Sequence, residues 1–174
     1  MIEKTIERFK EPEPTETAYD RKIKIKEEKI QRRLKGKVII KGKEVPWEQS
    51  RQGLTKTYIN EDNWDEIATP DWEIFIQRIL KHSGCHIHQG GLVIHVLEGK
   101  GYSIVDSQRF DWEQGDLIIL PIKPGGVKHQ HFNTGPDSPV MWMAFRYETM
   151  LDQVCVGITQ VEAHPDWAGP RAKK

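Results

Sequence analysis

The chain has 174 residues, enough for one domain with an appended segment and for a substantial buried core. Its 26 basic and 26 acidic residues cancel, so charge gives no reason to expect a nucleic acid or a membrane as partner. The sequence has no apolar run long enough to span a bilayer, no apolar core of a secretion signal at its N-terminus, and only two cysteines. We therefore expect a cytoplasmic protein in a reducing compartment.

The first 36 residues predict a charged arm followed by one helix. Residues 1–18 contain Pro12 and Pro14 among charged side chains, which favours a poorly ordered or loosely attached arm. From residue 20 to residue 35 the apolar residues recur at helical spacing, and Gly36 is placed to end the helix. The apolar stripe consists of Tyr19, Ile23, Ile30 and Leu34. Glutamates interleave with the many lysines and arginines, so we interpret the charged side as solvated surface.

Residues 37–71 are predicted to form strands and loops that pack on the main domain. Residues 38–40 and 44–45 flank Lys41-Gly42-Lys43 as a candidate hairpin, and residues 47–53 show no regular pattern.

From residue 54 onward, strand patterns alternate with turn signals rich in glycine, proline and aspartate. The predicted strands are 54–59, 72–80, 86–97, 102–106, 108–112, 117–120, 127–132 and 140–146. Short strands at regular spacing predict an all-β sandwich or closed barrel, with its core at 72–148. The C-terminal extension, 149–174, has enough apolar residues between 150 and 156 for one short helix or strand.

Two histidines in one predicted strand indicate a metal site. Side chains alternate between the faces of a strand, so His86 and His88 share a face. A third imidazole from a distant strand would complete three nitrogen ligands around a divalent metal, and His129 is the natural candidate. The alternative that His131 is the ligand and His129 its neighbour stays open, as does a purely polar role for the histidines. Cys85 points to the opposite face and is expected to be a small buried hydrophobe.

Two motifs in this region resemble those of the cupin superfamily. The first runs from His86-Ile87-His88 to Glu98-Gly99-Lys100-Gly101, and the second includes Gln114-Gly115-Asp116, Pro121, Pro124-Gly125-Gly126, His129 and Asn133. The resemblance covers roughly residues 72 to 147 and preserves the order and separation of both motifs. It implies a double-stranded β-helix, or jelly-roll barrel, that holds a metal at its mouth.

The first motif departs from the common cupin pattern at Leu92, where many members have a glutamate as fourth ligand. The site therefore resembles a three-histidine variety, similar to gentisate 1,2-dioxygenase and related salicylate or hydroxynaphthoate ring-cleaving enzymes. Their second motif is matched by His129, His131 and Asn133. Gentisate enzymes carry an arginine where this chain has Ile94, which argues against gentisate itself as the substrate.

The resemblance implies an enzyme that uses Fe(II), with Mn, Ni or Zn as alternative metals. Three neutral imidazoles leave the +2 charge uncompensated, which favours an anionic chelating substrate such as a hydroxylated aromatic acid, with dioxygen as second substrate. His131 should share the face of His129, where it could bond the substrate or act as a general base. An arginine could receive the substrate carboxylate, although each candidate taken alone is expected at the surface. These candidates are Arg78, Arg109 and Arg146.

Two other functions fit the same sequence. One is a metal-containing protein that binds a small molecule without turnover, and the other is an isomerase or decarboxylase on the same scaffold. We also expect a homodimer, because the apolar stripe of the N-terminal helix has to be buried somewhere.

Overall fold

The structure is a computed structural model that describes residues 16–135, 137–149 and 157–169. The predicted arm before residue 16 and the predicted element at 150–156 lie outside these residues. The elements in chain order are α1 (Ala18–Lys35), β1 (Glu48–Ser50), β2 (Gly53–Ile59), a 3₁₀ turn (Glu61–Glu66), β3 (Trp72–Ile79), β4 (Cys85–His88), β5 (Leu92–Glu98), β6 (Lys100–Val105), β7 (Gln108–Glu113), β8 (Leu117–Leu120), β9 (Val127–Asn133), β10 (Val140–Tyr147) and β11 (Thr159–Glu162).

The strands form two antiparallel sheets. One has the order β1-β2-β3-β10-β5-β8, and the other has the order β11-β4-β9-β6-β7. One apolar cluster takes side chains from both sheets, so the sheets enclose a common core. The predicted all-β, jelly-roll architecture with an N-terminal helix is confirmed.

Strict alternation along the strands builds this core. On β10, Val140, Trp142 and Ala144 are buried, while the residues between them are more exposed. On β5, Leu92 and Ile94 are buried in the same way. Because side chains on a strand alternate between its faces, one face of each sheet becomes apolar and packs against the other sheet.

Helix α1 begins close to its predicted start and ends where Gly36 was expected to end it. The Thr17 hydroxyl accepts from the backbone N–H of Asp20, and the Asp20 carboxylate accepts from the backbone N–H of Thr17, which forms a capping box. A side chain at Gly36 would lie 2.3 Å from the carbonyl carbon of Ile67, so only glycine fits there. No residue of α1 is buried. Among the described helices, none is long and apolar enough to cross a membrane.

Three of the predicted local elements are wrong. Residues 47–53, expected to be irregular, contain the short strand β1 (Glu48–Ser50). The predicted hairpin at 38–45 is absent: only a turn at 42–44 is found there, and Val38 and Ile39 are exposed. The single predicted strand at 86–97 is broken between β4 and β5, which belong to different sheets. The break lies at Gly90 and Gly91. A Cβ at Gly90 would lie 1.9 Å from the carbonyl oxygen of Pro121, and Gly91 has a positive φ of 72°.

A charged network lies at one end of the core, against expectation. Arg146, expected at the surface, is only 13% exposed. Its Nη2 lies 3.1 Å from Oε2 of Glu73, and its Nε donates to the carboxylate of Glu148. Burial raises the pKa of Glu73 and the neighbouring Glu148 charge adds to the rise, while the Arg146 charge opposes it. Arg78 and Arg109 are exposed, as expected.

Replacing Arg146 by Met should therefore destabilise the fold by about 3 kcal/mol, because two largely buried carboxylates would lose their cation. Without Arg146 the pKa of Glu73 in the folded protein should rise further above its value in the unfolded chain. Between these two pKa values the folded protein keeps a proton on Glu73 that the unfolded chain has released. The stability of the variant relative to the unaltered protein should therefore fall as pH rises from 5 to 8. Urea unfolding at both pH values measures this, with Arg78→Met on the exposed side of β3 as the control. Equal stability of the two variants would contradict the role of Arg146.

Candidate metal centre

Three buried histidines converge because β4 and β9 pair in one register. His86 is directly opposite His129 in this antiparallel pair, and His88, two residues from His86, points to the same side. Their candidate ligand atoms all lie within 4.8 Å of one another. The residues are 6%, 4% and 1% exposed for His86, His88 and His129. The structure thus brings together the three histidines that the sequence predicted as metal ligands.

Backbone carbonyls orient two of the three rings. Nδ1 of His129 is 3.2 Å from the carbonyl oxygen of Val127, and Nδ1 of His88 contacts the carbonyl oxygen of Gln89. Each ring therefore donates its Nδ1 proton to the backbone and keeps a lone pair on Nε2, which is how proteins commonly prepare histidine for metal binding.

The third ring, His86, provides an observation that also fits a metal. Its Nδ1 is buried and finds no hydrogen-bond partner among the described residues. Buried nitrogens of this kind are rare because they lose water without replacement. Three imidazoles with available lone pairs are a suitable donor set for a divalent transition metal.

The environment holds these rings in the neutral state that metal binding requires. Burial, followed by the neighbouring His129 and His88, lowers the pKa of His86 to about 2. Burial, followed by His88, lowers the pKa of His129 to about 4. Burial also lowers the pKa of His88. At neutral pH all three nitrogens are therefore available to a cation.

No carboxylate joins this group among the residues that the structure describes. Leu92, at the position where many cupins have a glutamate ligand, is buried in the apolar core, as is Ile94. Cys85 also lies outside the group, and burial raises the pKa of its thiol, which favours the neutral form over a ligating thiolate.

His131 has a different environment from the three clustered histidines. It is 1% exposed, and its Nδ1 lies 2.7 Å from the Ser103 hydroxyl oxygen. That oxygen also accepts from Nε1 of Trp112 at 2.8 Å, so the hydroxyl proton is available for His131. The His131 ring packs edge-on against Trp142, with 5.2 Å between centroids. Burial and the three other histidines lower its pKa well below the usual value.

The sequence did not single out Ser103 and Trp112, although they form the polar contacts of His131. Their one signal is strand alternation, which places both on inward positions. Asn133, which matched a family motif, has a structural role here. Its Nδ2 donates to the carbonyl oxygens of Leu80 at 3.0 Å and Ser138 at 2.8 Å, and its Oδ1 accepts from the N–H of Gly135. It fastens two loops to β9.

Comparison with known proteins gives one family match. Residues 76–146 match the family model described as the cupin domain. No curated protein sequence matches the chain.

Solved structures with the same fold include three informative ones. A salicylate 1,2-dioxygenase variant from Pseudoaminobacter salicylatoxidans, in complex with gentisate, aligns with a TM-score of 0.50 and 14% identity over 62% of this chain and 28% of that chain. A cupin-like protein from Thermotoga maritima aligns with a TM-score of 0.50 and 16% identity over 68% of this chain and 90% of that chain. The polyketide cyclase RemF from Streptomyces resistomycificus aligns with a TM-score of 0.50 and 15% identity over 75% of this chain and 89% of that chain.

Identities this low establish a shared fold and leave activity open. The aligned part of this chain covers only 28% of the length of the salicylate 1,2-dioxygenase. The family match, the two facing sheets and the motif glycines and histidines agree with one another, and they identify residues 76–146 of this chain as a cupin domain.

Proposed function

We propose that this cupin is a cytoplasmic, non-haem Fe(II) dioxygenase that acts on a small hydroxylated aromatic acid or another anionic chelating substrate. The observation that carries the proposal is the cluster of three buried, neutral imidazoles with no carboxylate beside them in the described part of the chain. We propose His86, His88 and His129 as the metal ligands. Similarity of fold to salicylate 1,2-dioxygenase supports the reaction class without establishing it.

Charge explains why this donor set favours an anion. Neutral nitrogens do not offset the +2 charge of a divalent metal, so a chelating substrate anion supplies the compensation in a site that excludes water. When bound, Fe(II) supplies redox chemistry between a bidentate substrate and dioxygen, whereas Zn or Ni would bind the same nitrogens without it, and Mn is a further alternative.

The chain's own residues have three tasks in this proposal. β4 and β9 fix the ligands on one face, and backbone carbonyls hold the rings of His88 and His129 in orientation. The apolar wall that includes Trp142 limits water. His131 remains our candidate for a catalytic group. Its Ser103 contact and low pKa suit a neutral hydrogen-bond donor through Nε2 better than a general base.

A second candidate is a metal-containing binding protein without turnover. The observation that favours it concerns Arg146, whose charge lowers the pKa of His86 and His88 and which therefore lies close enough to influence the centre. Its guanidinium is already held by Glu73 and Glu148. It is thus not free to orient a substrate carboxylate, as a ring-cleaving enzyme for an aromatic acid would need.

Oxygen uptake separates the two candidates. Protein loaded with Fe(II) in the absence of air should consume dioxygen when it is offered salicylates, gentisate, hydroxynaphthoates or diketones one at a time. His131→Asn should keep its iron and lose at least about 10-fold in rate, since a positioned hydrogen-bonding group typically contributes that much or more. Ligand-induced spectral changes without oxygen uptake across the panel would instead favour the binding protein. Substrate conversion without oxygen use would indicate the isomerase or decarboxylase.

Replacing His86 or His129 by Ala should reduce bound metal from stoichiometric to trace levels, because two nitrogens cannot hold the ion as three do. Metal analysis of purified protein measures this. The control is His95→Ala on β5, a histidine outside the cluster whose loss should leave the metal content unchanged. Full metal retention in His86→Ala or His129→Ala would contradict the assigned ligands.

The metal-free protein should lose stability as pH falls below about 6.5. The folded pKa values of His86 and His129, about 2 and about 4, lie below the unfolded value, so the unfolded chain binds protons that the folded chain does not. Each such histidine should remove about 1.4 kcal/mol per pH unit below the unfolded pKa. Denaturant unfolding between pH 7.5 and about pH 5 measures the slope. His129→Gln should show a shallower decline, and an unchanged slope would contradict a neutral His129.

A further inference from the structure

Helix α1 presents an apolar stripe that the described part of its own chain does not cover. Tyr19, Ile23, Ile30 and Leu34 lie along one side and are between 43% and 72% exposed. The stripe is about 22 Å long at 1.5 Å per residue. Most helices in proteins owe their stability to packing of an apolar face and not to intrinsic helix propensity. The stripe therefore needs a partner surface.

One flank of the stripe is basic. At 100° per residue, Lys22, Lys26 and Lys29 follow one another at intervals of about one turn along the same side of the apolar residues. Ile25 lies on the opposite side of the helix and is also exposed. The surface that covers the stripe should thus combine apolar side chains with negative charge.

A groove at the open seam between the two sheets has this combination. β7 and β8 are the outermost strands of their sheets at this seam and are not paired with each other. Between them lies a groove of about 570 Å³, and its exposed apolar side chains are Phe110, Leu117 and Ile119, at 51% to 69% exposure. This volume accommodates a few large side chains. Exposed edge strands beside apolar groups usually need cover to prevent wrong association.

The charged residues that line this groove are all acidic: Asp106, Asp111 and Asp116. Asp106 pairs with Lys123, and Asp111 pairs with Arg109, in ion pairs that are partly exposed. Neither of these two cations is among the residues that line the groove. Exposed pairs of this kind are weak and rearrange readily, so the carboxylates remain available to a second cation.

We infer that the groove between β7 and β8 receives the apolar stripe of α1 from a second copy of this chain, with the basic flank of the helix facing the three aspartates. A second copy is the occupant because one chain carries both complementary surfaces. In its own chain α1 is fixed elsewhere: Gly36 packs against Ile67, and Arg33 pairs with Asp71 at 3.0 Å. A twofold axis that places one helix in one groove places the other helix in the other groove, so both stripes are covered.

Sedimentation of the full-length protein over a micromolar concentration series tests the interface. The unaltered chain should dimerise, and Ile30→Asp in the helix or Ile119→Asp in the groove should raise the dimer dissociation constant at least about 10-fold. The matched controls are Ile25→Asp, on the opposite side of the helix, and Val161→Asp, on the exposed edge strand β11 of the far side. Both controls should dimerise like the unaltered chain.

Mixing provides a sharper test. The Ile30→Asp chain keeps an intact groove, and the Ile119→Asp chain keeps an intact helix, so an equimolar mixture should form a heterodimer through one remaining contact although neither variant dimerises well alone. Dimers unaffected by either substitution, a monomeric unaltered protein, or a mixture without heterodimers would each overturn the inference.

A charge test covers the case in which an added aspartate disturbs folding. Reversing Lys22, Lys26 and Lys29 together to Glu should weaken the dimer, whereas Lys24→Glu with Lys35→Glu on the other side should not; equal effects would overturn the inference. The inference rests on the homodimer and not on the chemistry of the metal centre. Metal content and oxygen uptake, measured on the same variants, therefore separate a wrong interface from a wrong proposed function.

Discussion

The antiparallel pairing of β4 with β9 is the constraint on which the rest of this structure depends. It sets His86 opposite His129 and leaves His88 on the same side, so a shift of one residue in the register would turn the histidines of one strand away from those of the other. The neighbours maintain that register. β11 pairs with the free edge of β4, and β6 pairs with the far edge of β9.

Burial of the cluster has an energetic consequence. Four histidines, among them His131, occupy the interior, and in each of them burial disfavours the charged form. A core of this size filled by aliphatic side chains would be more stable, so the imidazoles represent stability given up for function. A bound cation would recover part of that loss, since it binds the folded chain and not the unfolded one.

Much of the fold follows from the sequence, because period-2 alternation and glycine-rich turns have local causes. The histidine cluster could be inferred for the same reason, because the two histidines of a His-x-His pair on a strand always point to the same face. The predictions that proved wrong concern features that depend on contacts between residues far apart in the sequence. The strand at 86–97 reads as continuous because its apolar alternation continues, and only the approach of Gly90 to Pro121 breaks it. Likewise, Arg146 is buried because it forms ion pairs with Glu73 and Glu148. No local sequence pattern predicts these ion pairs. The substrate depends on a cavity shape that no short motif encodes.

The three-residue break between β4 and β5 has a mechanical consequence. Here the chain leaves the sheet that carries the proposed metal ligands and enters the sheet opposite, and it does so where Gly90 lies against the backbone of Pro121. The chain at Gly90 and the chain at Pro121 pack so closely that neither backbone can shift without moving the strand to which it is joined. The crossing therefore couples the positions of the two sheets. Even a methyl group at position 90 would force this backbone, two residues from His88, to shift, so a substitution at a residue with no ligand atom would disturb the proposed metal centre.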